Sequence, residues 1–392
     1  MRATNGLASR FAVLSLYLAC AGAALWLSIY RPFHNWDVVG YVASAKSFDG
    51  SDAAALQAFT YAELRGVLPP DLYEDIARAK NIGTGRGAAY RHAVSSDAAA
   101  FAEQLPYYQI RPLYTGLIYL LYRTGVDIEF ATHAISGMGV AAGLLLLYLL
   151  AGARLSPPFA SLLPPFAIAL GLFDLARFST PDGLAFAAVM LLARWLAMAR
   201  INALLLAIPC VLGIRTDLIL FTSPLLLALF VHQPENRRKI ALSAAASVAI
   251  YFAIVGYYGN PGWSTFFYCT MVQRCTHPLS NPPALTPHDY FDALASGLRA
   301  LASDADFAIY LLLVLASLYL IRKRGGTDRR HRATPLILLA TSATYVVCRF
   351  FALPAEWSRA FPSAYVLSAF ALLWLLHDRF VRDGDSVGAR HG

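Results

Sequence analysis

Long apolar segments recur along most of the chain and constrain its fold more than any other feature. A helix that crosses a membrane needs about 20 apolar residues, and shorter runs are tolerated where helices tilt or end inside the protein. The predicted spans are 11–30, 130–152, 157–174, 183–199, 202–214, 217–232, 239–258, 306–322, 334–351 and 361–378. The sequence therefore predicts one all-α domain over residues 1–392, a polytopic transmembrane helical bundle of about ten spans. The segment GIRTDL could instead be a break within one long helix over 202–232.

The composition excludes an ordinary water-soluble domain. Hydrophobic residues make up 58% of the chain and charged residues only 14%, whereas soluble proteins have about 25% charged residues. The formal net charge of +8 could indicate a nucleic-acid partner, but the basic residues form short clusters between apolar segments and provide no basic face or known binding motif. We therefore expect the basic residues to orient the protein in the lipid bilayer, and we expect no nucleic-acid partner.

Positive charge also predicts the orientation, because Lys and Arg accumulate in cytoplasmic loops. With ten spans and a cytoplasmic amino terminus, the dense basic clusters at 237–239 and 322–332 both fall inside. Residues 1–24 could pass for a secretory signal, but an uncleaved first span gives every later span a consistent orientation. We expect both termini in the cytoplasm, most simply of a bacterial inner membrane, and two large outer loops, 31–129 and 260–304.

The first outer loop opens and closes with predicted surface helices. In RPFHNWDVVGYVASAK, Asp37 precedes apolar residues at helical spacing, which is typical of a short amphipathic helix lying at a membrane surface. The later stretch QLPYYQIRPLYTGLIYLLYRTG is rich in tyrosine and is interrupted by two arginines. It should lie flat on the outer leaflet, where tyrosine rings can be half buried.

Two more helices are predicted between these ends. One covers 71–80 and starts with an acid, and the other covers 97–105, with Ser95 and Ser96 as caps. The stretch NIGTGRGAAYR between them is too rich in glycine for a helix, so it should be a flexible loop.

Ionisable side chains gather at the predicted outer ends of the spans. Such groups are costly near a bilayer unless they are paired or hydrated, so their common side indicates a shared polar site at the outer face. They are Asp37 in WDVVGY, Arg111 in QIRPLY, Arg177 and Asp182 in ARFSTPDGLA, Arg215 and Asp217 in GIRTDL, and Glu356 and Arg359 in PAEWSRAFP. Any one of them could instead form a structural salt bridge or anchor a helix at the interface.

The order of these parts resembles the GT-C superfamily over most of the chain. These are multispan glycosyltransferases that use polyprenyl-phosphate-linked sugars, and they include protein O-mannosyltransferases and lipid A aminoarabinose transferases. Members have a first span followed by a large outer loop that opens with an acid and a surface helix, as in NWDVVGYVASA. A basic residue followed by proline then opens an interfacial helix, as in IRPLYTGLIYLL. An acid before the fourth span corresponds to STPDGLAFAA.

The resemblance implies a role for each matching residue. Asp37 corresponds to the catalytic base, and Arg111 corresponds to a contact of the donor phosphate. Asp182 corresponds to the position that binds the acceptor or a metal in some members. Arg215 and Arg359 resemble the arginines at the outer tips of later spans and are further phosphate ligands. Secondary candidates for the same site are Arg177, Asp217, Glu356 and His34.

The implied reaction moves a sugar from a polyprenyl-phosphate-sugar donor to an extracytoplasmic lipid, glycan or protein. It needs a base for the acceptor proton, cations for the leaving phosphate and an apolar groove for the prenyl chain. One carboxylate with several arginines fits a single displacement with inversion. The sugar and the acceptor are not identified by the sequence.

Two departures from the family pattern bear on cofactors and acceptor. Asp37 has no acid beside it, although several members carry a paired DE or DxD, so a divalent cation, Mg²⁺ or Mn²⁺, is an open expectation and no other cofactor is implied. The chain ends at Gly392 without the soluble domain of larger members, so acceptor recognition is expected in the two outer loops.

Two functions other than sugar transfer also occur in proteins with many membrane spans. A transporter or flippase of lipid-linked or envelope precursors predicts midplane polar residues and inverted repeats, and the sequence shows little of either. A membrane acyltransferase or polysaccharide ligase would use histidine, and His34 and His133 are positioned for it. Both residues fit better as histidines at the membrane interface that have no catalytic role.

The five cysteines do not form a CxxC motif or a Cys/His cluster, which argues against a structural zinc site or a disulfide scaffold. Cys269 and Cys275 fall in the second outer loop and could pair in an oxidising compartment. A helix across FFYCTMVQRC would hold them too far apart, so the pairing stays open.

Overall fold

The computed structural model describes residues 2–78, 86–323, 329–355 and 357–388. Within them the secondary structure is helical, apart from one bridge between Phe33 and Phe178. The first half of the chain forms α1 (Arg2–Tyr30), α2 (Asp37–Lys46), α3 (Ala53–Val67), α4 (Pro70–Arg78), α5 (Arg86–Ser96), α6 (Ala98–Gln104), α7 (Pro106–Gln109), α8 (Pro112–Arg123), α9 (Ile128–Arg154), α10 (Pro157–Ala160), α11 (Leu163–Ala169) and α12 (Leu172–Arg177). The second half forms α13 (Asp182–Ala197), α14 (Ile201–Val211), α15 (Ile219–His232), α16 (Arg237–Tyr257), α17 (Trp263–Phe267), α18 (Pro287–Ala302), α19 (Ala305–Lys323), α20 (Arg329–Ala352), α21 (Trp357–Ala360) and α22 (Pro362–Gly388).

Five helical segments of the described chain are long and apolar enough to cross a membrane. They are Leu7–Tyr30, Ile128–Arg154, Pro234–Tyr257, Ala305–Arg322 and Ala333–Ala352. Their length and composition indicate a membrane protein, and the all-helical class predicted from the apolar segments is confirmed.

The predicted count of ten spans is not confirmed. The segment predicted as a span over 157–174 is divided into α10, α11 and α12. Prolines begin the first of these helices, and Gly171 adopts a left-handed φ of 84° just before the third. Proline starts a helix well but cannot continue one, and a left-handed glycine ends the preceding turn. Helices α13 and α14, with 16 and 11 residues, are shorter than a simple span requires.

Close packing of α9 against α13 fixes the beginning of α13. A Cβ atom on Gly183 would lie 2.1 Å from the carbonyl oxygen of Ser136, and one on Gly139 would lie 2.4 Å from the Leu184 nitrogen. The two backbones can approach this closely only because both positions lack a side chain. Asp182, the first residue of α13, is thereby held beside α9 and is buried.

Helix α2 is buried, so the prediction of an amphipathic helix on a membrane surface is wrong. Its residues from Val38 to Ala45 are all buried. Helices α3, α7, α8 and α9 pack around it. The ring of Tyr108 occupies the space where a Cβ on Gly40 would lie. The side predicted to face lipid and the opposite side of α2 both face protein, because these four helices surround it.

The remaining outer-loop predictions are partly confirmed. The helix predicted at 71–80 is α4, with 79–80 outside the described residues. The helix predicted at 97–105 is α6, but its cap is Asp97, whose carboxylate accepts a hydrogen bond from the Ala99 nitrogen, and not Ser95 or Ser96. The flexible loop predicted for the glycine-rich stretch is wrong for residues 86–91, which begin α5, and 81–85 lie outside the described residues.

The tyrosine-rich stretch predicted as one flat helix forms two helices, α7 and α8. Arg111 stands between them and precedes Pro112, the first residue of α8. Proline fits the first turn of a helix, where a backbone donor is not needed, so α8 begins at Pro112 and the half-buried Arg111 lies in the break.

Candidate active site

Asp37 and Asp182 are brought together by contacts between two loops. The Phe33 nitrogen donates to the carbonyl oxygen of Arg177 at 2.9 Å, and the Arg177 Nε donates to the carbonyl oxygen of Arg31 at 2.8 Å. These bonds join the segment after α1 to the segment before α13. The two acids, each the first residue of its helix, therefore lie on the same side of the bundle.

A chain of ion pairs connects the predicted site residues. Nη1 of Arg359 lies 2.8 Å from Oδ2 of Asp37, and its Nε lies 3.2 Å from Oδ2 of Asp182. Nη1 of Arg215 pairs with the other oxygen of Asp182, and its Nε donates to Oδ1 of Asp217 at 2.9 Å. This network contains four of the five principal candidates, Asp37, Asp182, Arg215 and Arg359. It also contains Asp217.

Burial makes this pairing necessary. Asp182 is 3% exposed and Arg215 is 7% exposed. Unpaired charges at this depth would be very costly, whereas alternating acids and guanidinium groups compensate one another. The Thr180 hydroxyl also donates to Asp182, at 2.6 Å. Buried Arg349 closes the chain at the far end, with its Nε 3.4 Å from Asp217.

Arg111 differs from the other arginines in the site. Its Nη1 donates to the carbonyl oxygen of Tyr107 at 2.7 Å, and its guanidinium lies 5.5 Å from the centre of the Tyr41 ring. Among the described residues, no carboxylate lies within ion-pair distance of it. Its charge is consequently available for an anion from outside.

Two neighbouring cavities meet at Arg111 and Arg359. The first, of about 250 Å³, is the polar cavity, and its lining includes Asp37, Arg91 and Arg274. The second, of about 350 Å³, is the mixed cavity. Its charged lining is formed by Arg111, Asp182, Arg215, Asp217, Arg349 and Arg359, and its apolar and aromatic lining includes Ile219, Leu220, Tyr251, Trp263 and Phe266.

Positive charge is in excess around these cavities. In the described part of the chain, six arginines and three aspartates line the two cavities together. Guanidinium groups bind phosphate and carboxylate oxygens with paired hydrogen bonds. The site is therefore suited to an anionic ligand.

Burial and charge act in opposite directions on Asp37. Burial raises the pKa of its carboxyl group, but the charges of Arg359 and Arg111 lower the pKa by more. The pKa of Asp37 therefore lies below its ordinary value. Asp37 is thus ionised at neutral pH and can accept a proton. Its Oδ1 receives a hydrogen bond of 3.4 Å from the Tyr108 hydroxyl, whose pKa is raised well above its ordinary value by burial and by Asp37.

Three arginines of the site were not predicted from the sequence. Arg349 falls within the predicted span 334–351, and an arginine inside an apolar segment was a usable signal. Arg91 and Arg274 gave no such signal, because they lie outside the predicted spans and reach the cavity only through folding.

Some predicted candidates have other surroundings. Arg177 bonds to Arg31 and lies 3.3 Å from Asp174, and it lines neither cavity. His34 lies beside Glu129 and is likewise outside both cavity linings. Glu356 lies outside the described residues.

The geometry at Asp182 bears on the expected divalent cation. Both of its oxygens already contact guanidinium groups, so Mg²⁺ or Mn²⁺ could bind there only by displacing an arginine. A second group of metal-ligand type, His34, Glu129 and His133, has its ligand atoms within 4.8 Å of one another.

Cys269 and Cys275, which could have paired, are both free thiols in this structure. Cys269 is buried and lines the polar cavity beside Tyr107. Comparison of the chain with protein-family models, with curated proteins and with solved structures gives no match.

Proposed function

We propose that the protein is an integral membrane glycosyltransferase that moves a sugar from a polyprenyl-phosphate-sugar donor to an extracytoplasmic acceptor with inversion. The observation that carries this proposal is the position of the Asp37–Arg359 ion pair, where a polar cavity meets a cavity with an apolar wall. A carboxylate for proton transfer and cations for a leaving phosphate are thus adjacent.

The mixed cavity fits the lipid part of such a donor. Ile219, Leu220 and Trp263 provide apolar contact, and Trp263 is 49% exposed, so the cavity borders the outer surface of the helices. A prenyl chain along this wall would place its phosphate among Arg111, Arg215 and Arg359. The sugar would then extend into the polar cavity towards Asp37.

The proposed reaction is a single displacement. An acceptor hydroxyl oxygen attacks the anomeric carbon of the sugar while Asp37 takes the hydroxyl proton. The bond from the anomeric carbon to the phosphate oxygen breaks, and polyprenyl phosphate leaves with the electron pair. Arg111 and Arg359 stabilise the negative charge that develops on the leaving group.

Arg359 couples donor binding to the strength of the base. In this structure it pairs with both Asp37 and Asp182. A donor phosphate competes for the same guanidinium and therefore weakens the ion pair between Arg359 and Asp37. The pKa of Asp37 then rises towards its ordinary value, and the carboxylate becomes a better base only when the donor is present.

The proposal includes the GT-C-like arrangement of about ten spans, with the shorter apolar helices completing the bundle. It places the site at the outer face of a bacterial inner membrane and both termini in the cytoplasm. Positive charge in the predicted inner loops supports this orientation.

The experiment uses full-length protein in liposomes with synthetic polyprenyl phosphates that carry different single sugars. We expect release of polyprenyl phosphate, slowly to water and faster once an acceptor is added. Arg111→Gln should weaken donor use about 30-fold, because a charge-assisted contact to phosphate contributes about 2 kcal/mol. Arg299→Gln is the matched control, since Arg299 is an exposed outer-loop arginine that lines neither cavity. Movement of intact donor between leaflets without cleavage would instead identify a flippase.

A further inference from the structure

A second group of titratable side chains lies outside the two cavities. His34 belongs to the segment between α1 and α2, whereas Glu129 and His133 lie one turn apart at the start of α9. Residues four apart on a helix share one face, so both α9 side chains point towards the same segment. Nearly a hundred positions of sequence separate His34 from its partners, so the group has no motif that a linear reading could find.

The donor atoms of the three residues surround one point. Nδ1 of His34 lies 3.1 Å from Oε1 of Glu129, and Nδ1 of His133 lies 3.3 Å from the same oxygen. Tetrahedral zinc with bonds of about 2.0–2.1 Å separates its ligand atoms by about 3.3–3.4 Å. The two nitrogen–oxygen separations are close to this value, and the ligand atoms of all three residues lie within 4.8 Å of one another.

Both contacts are imidazole–carboxylate ion pairs, but their hydrogen-bond geometry is poor. The two imidazole nitrogens and the Glu129 oxygen are all buried, and none of the three makes a hydrogen bond of acceptable geometry. Glu129 and His133 are each only 2% exposed. A carboxylate buried against two imidazoles is costly unless its charge is well compensated. A cation between them would compensate this charge and contact all three atoms at once.

We propose that His34, Glu129 and His133 bind a divalent transition metal ion, with zinc as the best fit. Two imidazoles and one carboxylate form a ligand set that suits zinc and its neighbours, whereas Mg²⁺ and Mn²⁺ prefer oxygen ligands. This site differs from the magnesium or manganese expected at Asp182. It also differs from the cysteine-based zinc site that the sequence argued against.

The metal has a structural consequence for Asp37. His34 precedes Asp37 by three residues, and the ion ties this segment to the rigid start of α9. The metal thus acts as a positioning element for the first turn of α2. This role is independent of the proposed sugar transfer, since a transporter or ligase would also need this loop held in place.

The test uses full-length protein without a polyhistidine tag. The protein is stripped with a chelator, dialysed, reloaded with Zn²⁺ alone and analysed for metal content by mass spectrometry. We expect about one zinc ion per chain and a higher melting temperature with zinc than without it. His34→Gln and His133→Gln should each weaken zinc binding by more than about 100-fold, because loss of even an outer hydrogen-bond partner of a ligand costs up to that much.

His277→Gln is the matched control. The His277 imidazole also lies beside carboxylates, with Nδ1 3.2 Å from Glu103 and Nε2 3.5 Å from Asp97. Glu103, however, accepts hydrogen bonds from the Leu279 and Ser280 nitrogens, so this group is satisfied without a metal. Zinc content should be unchanged in this variant.

Co²⁺ on the wild-type protein keeps the test decisive if the variants do not fold. A tetrahedral site with nitrogen and oxygen ligands should give visible absorption bands when one equivalent of Co²⁺ is added, and Zn²⁺ should abolish them. The proposal is overturned if wild-type protein binds no Zn²⁺ and shows no Co²⁺ bands, or if the His34 and His133 variants bind zinc as the wild type does.

Discussion

Replacing Asp37 with asparagine separates catalysis from structure, since asparagine keeps the shape of the side chain and cannot accept the proton. The ion pair of 2.8 Å with Arg359 is lost, but Arg359 keeps its contact with Asp182 at 3.2 Å. Arg359 therefore keeps one carboxylate partner, and we expect a stability loss of about 1.5–3 kcal/mol, the range for a hydrogen bond to a charged group. General-base catalysis contributes about 100-fold to 10,000-fold, so turnover should fall by that factor.

The assay compares donor turnover and thermal melting for wild type, Asp37→Asn and Asp292→Asn in the same liposomes. Asp292 is the control because it is an exposed acid on α18, away from both cavities, with a histidine partner at 3.4 Å. Its replacement should leave both measurements nearly unchanged.

A purely structural role for Asp37 predicts a different result. Asp37 is the first residue of α2, and the preceding Trp36 makes no side-chain cap. An acid in the first turn stabilises a helix by about 0.3–1 kcal/mol. Under this alternative, Asp37→Asn melts slightly earlier and turns over donor at the wild-type rate. That outcome would remove Asp37 from the chemistry.

The pH dependence provides an independent check on Asp37. Its pKa is below the ordinary value of about 3.9 for aspartate. Its contribution to stability is therefore fully present above pH of about 3.9 and is lost as the pH falls through the lower folded pKa. The acid limb of kcat/KM in the wild type should likewise lie below pH of about 4. Midpoints near pH 6 for this limb would contradict the charge arrangement around Asp37.

Two further predictions concern topology and packing. Single cysteines introduced in a cysteine-free background should react with an impermeant thiol reagent at Thr286, in the predicted second outer loop, and not at Glu235, in a predicted inner loop; the reverse pattern would invert the orientation. Gly183→Ala should destabilise the protein by about 1–3 kcal/mol, because the added Cβ would lie 2.1 Å from a backbone oxygen of α9. Gly152→Ala is its control: nothing lies within 4 Å of the added atom, so thermal melting should show a gain of up to about 1 kcal/mol. Equal effects of the two substitutions would argue against the tight α9–α13 contact.

The sequence by itself determined the class of this protein. Apolar segments of near-membrane length are a local property, so they can be read without knowing which helices touch. A local pattern also predicts a shared polar site, because charges beside apolar segments are costly unless they are paired or hydrated. The residues in this pattern are Asp37, Arg111, Asp182, Arg215 and Arg359. The prolines and the glycine that divide the predicted span 157–174 into three helices are also visible in the sequence. The prediction of one span was wrong because it relied on apolar composition alone.

Tertiary structure alone decided how these residues meet. The pairing of Arg359 with both Asp37 and Asp182 joins residues from distant parts of the chain. The burial of α2 depends on helices that fold over it later in the chain. Likewise, His34 meets Glu129 and His133 only because α1 and α9 pack side by side. Such contacts are set by the distances and angles between packed helices, and local residue patterns do not encode these directly.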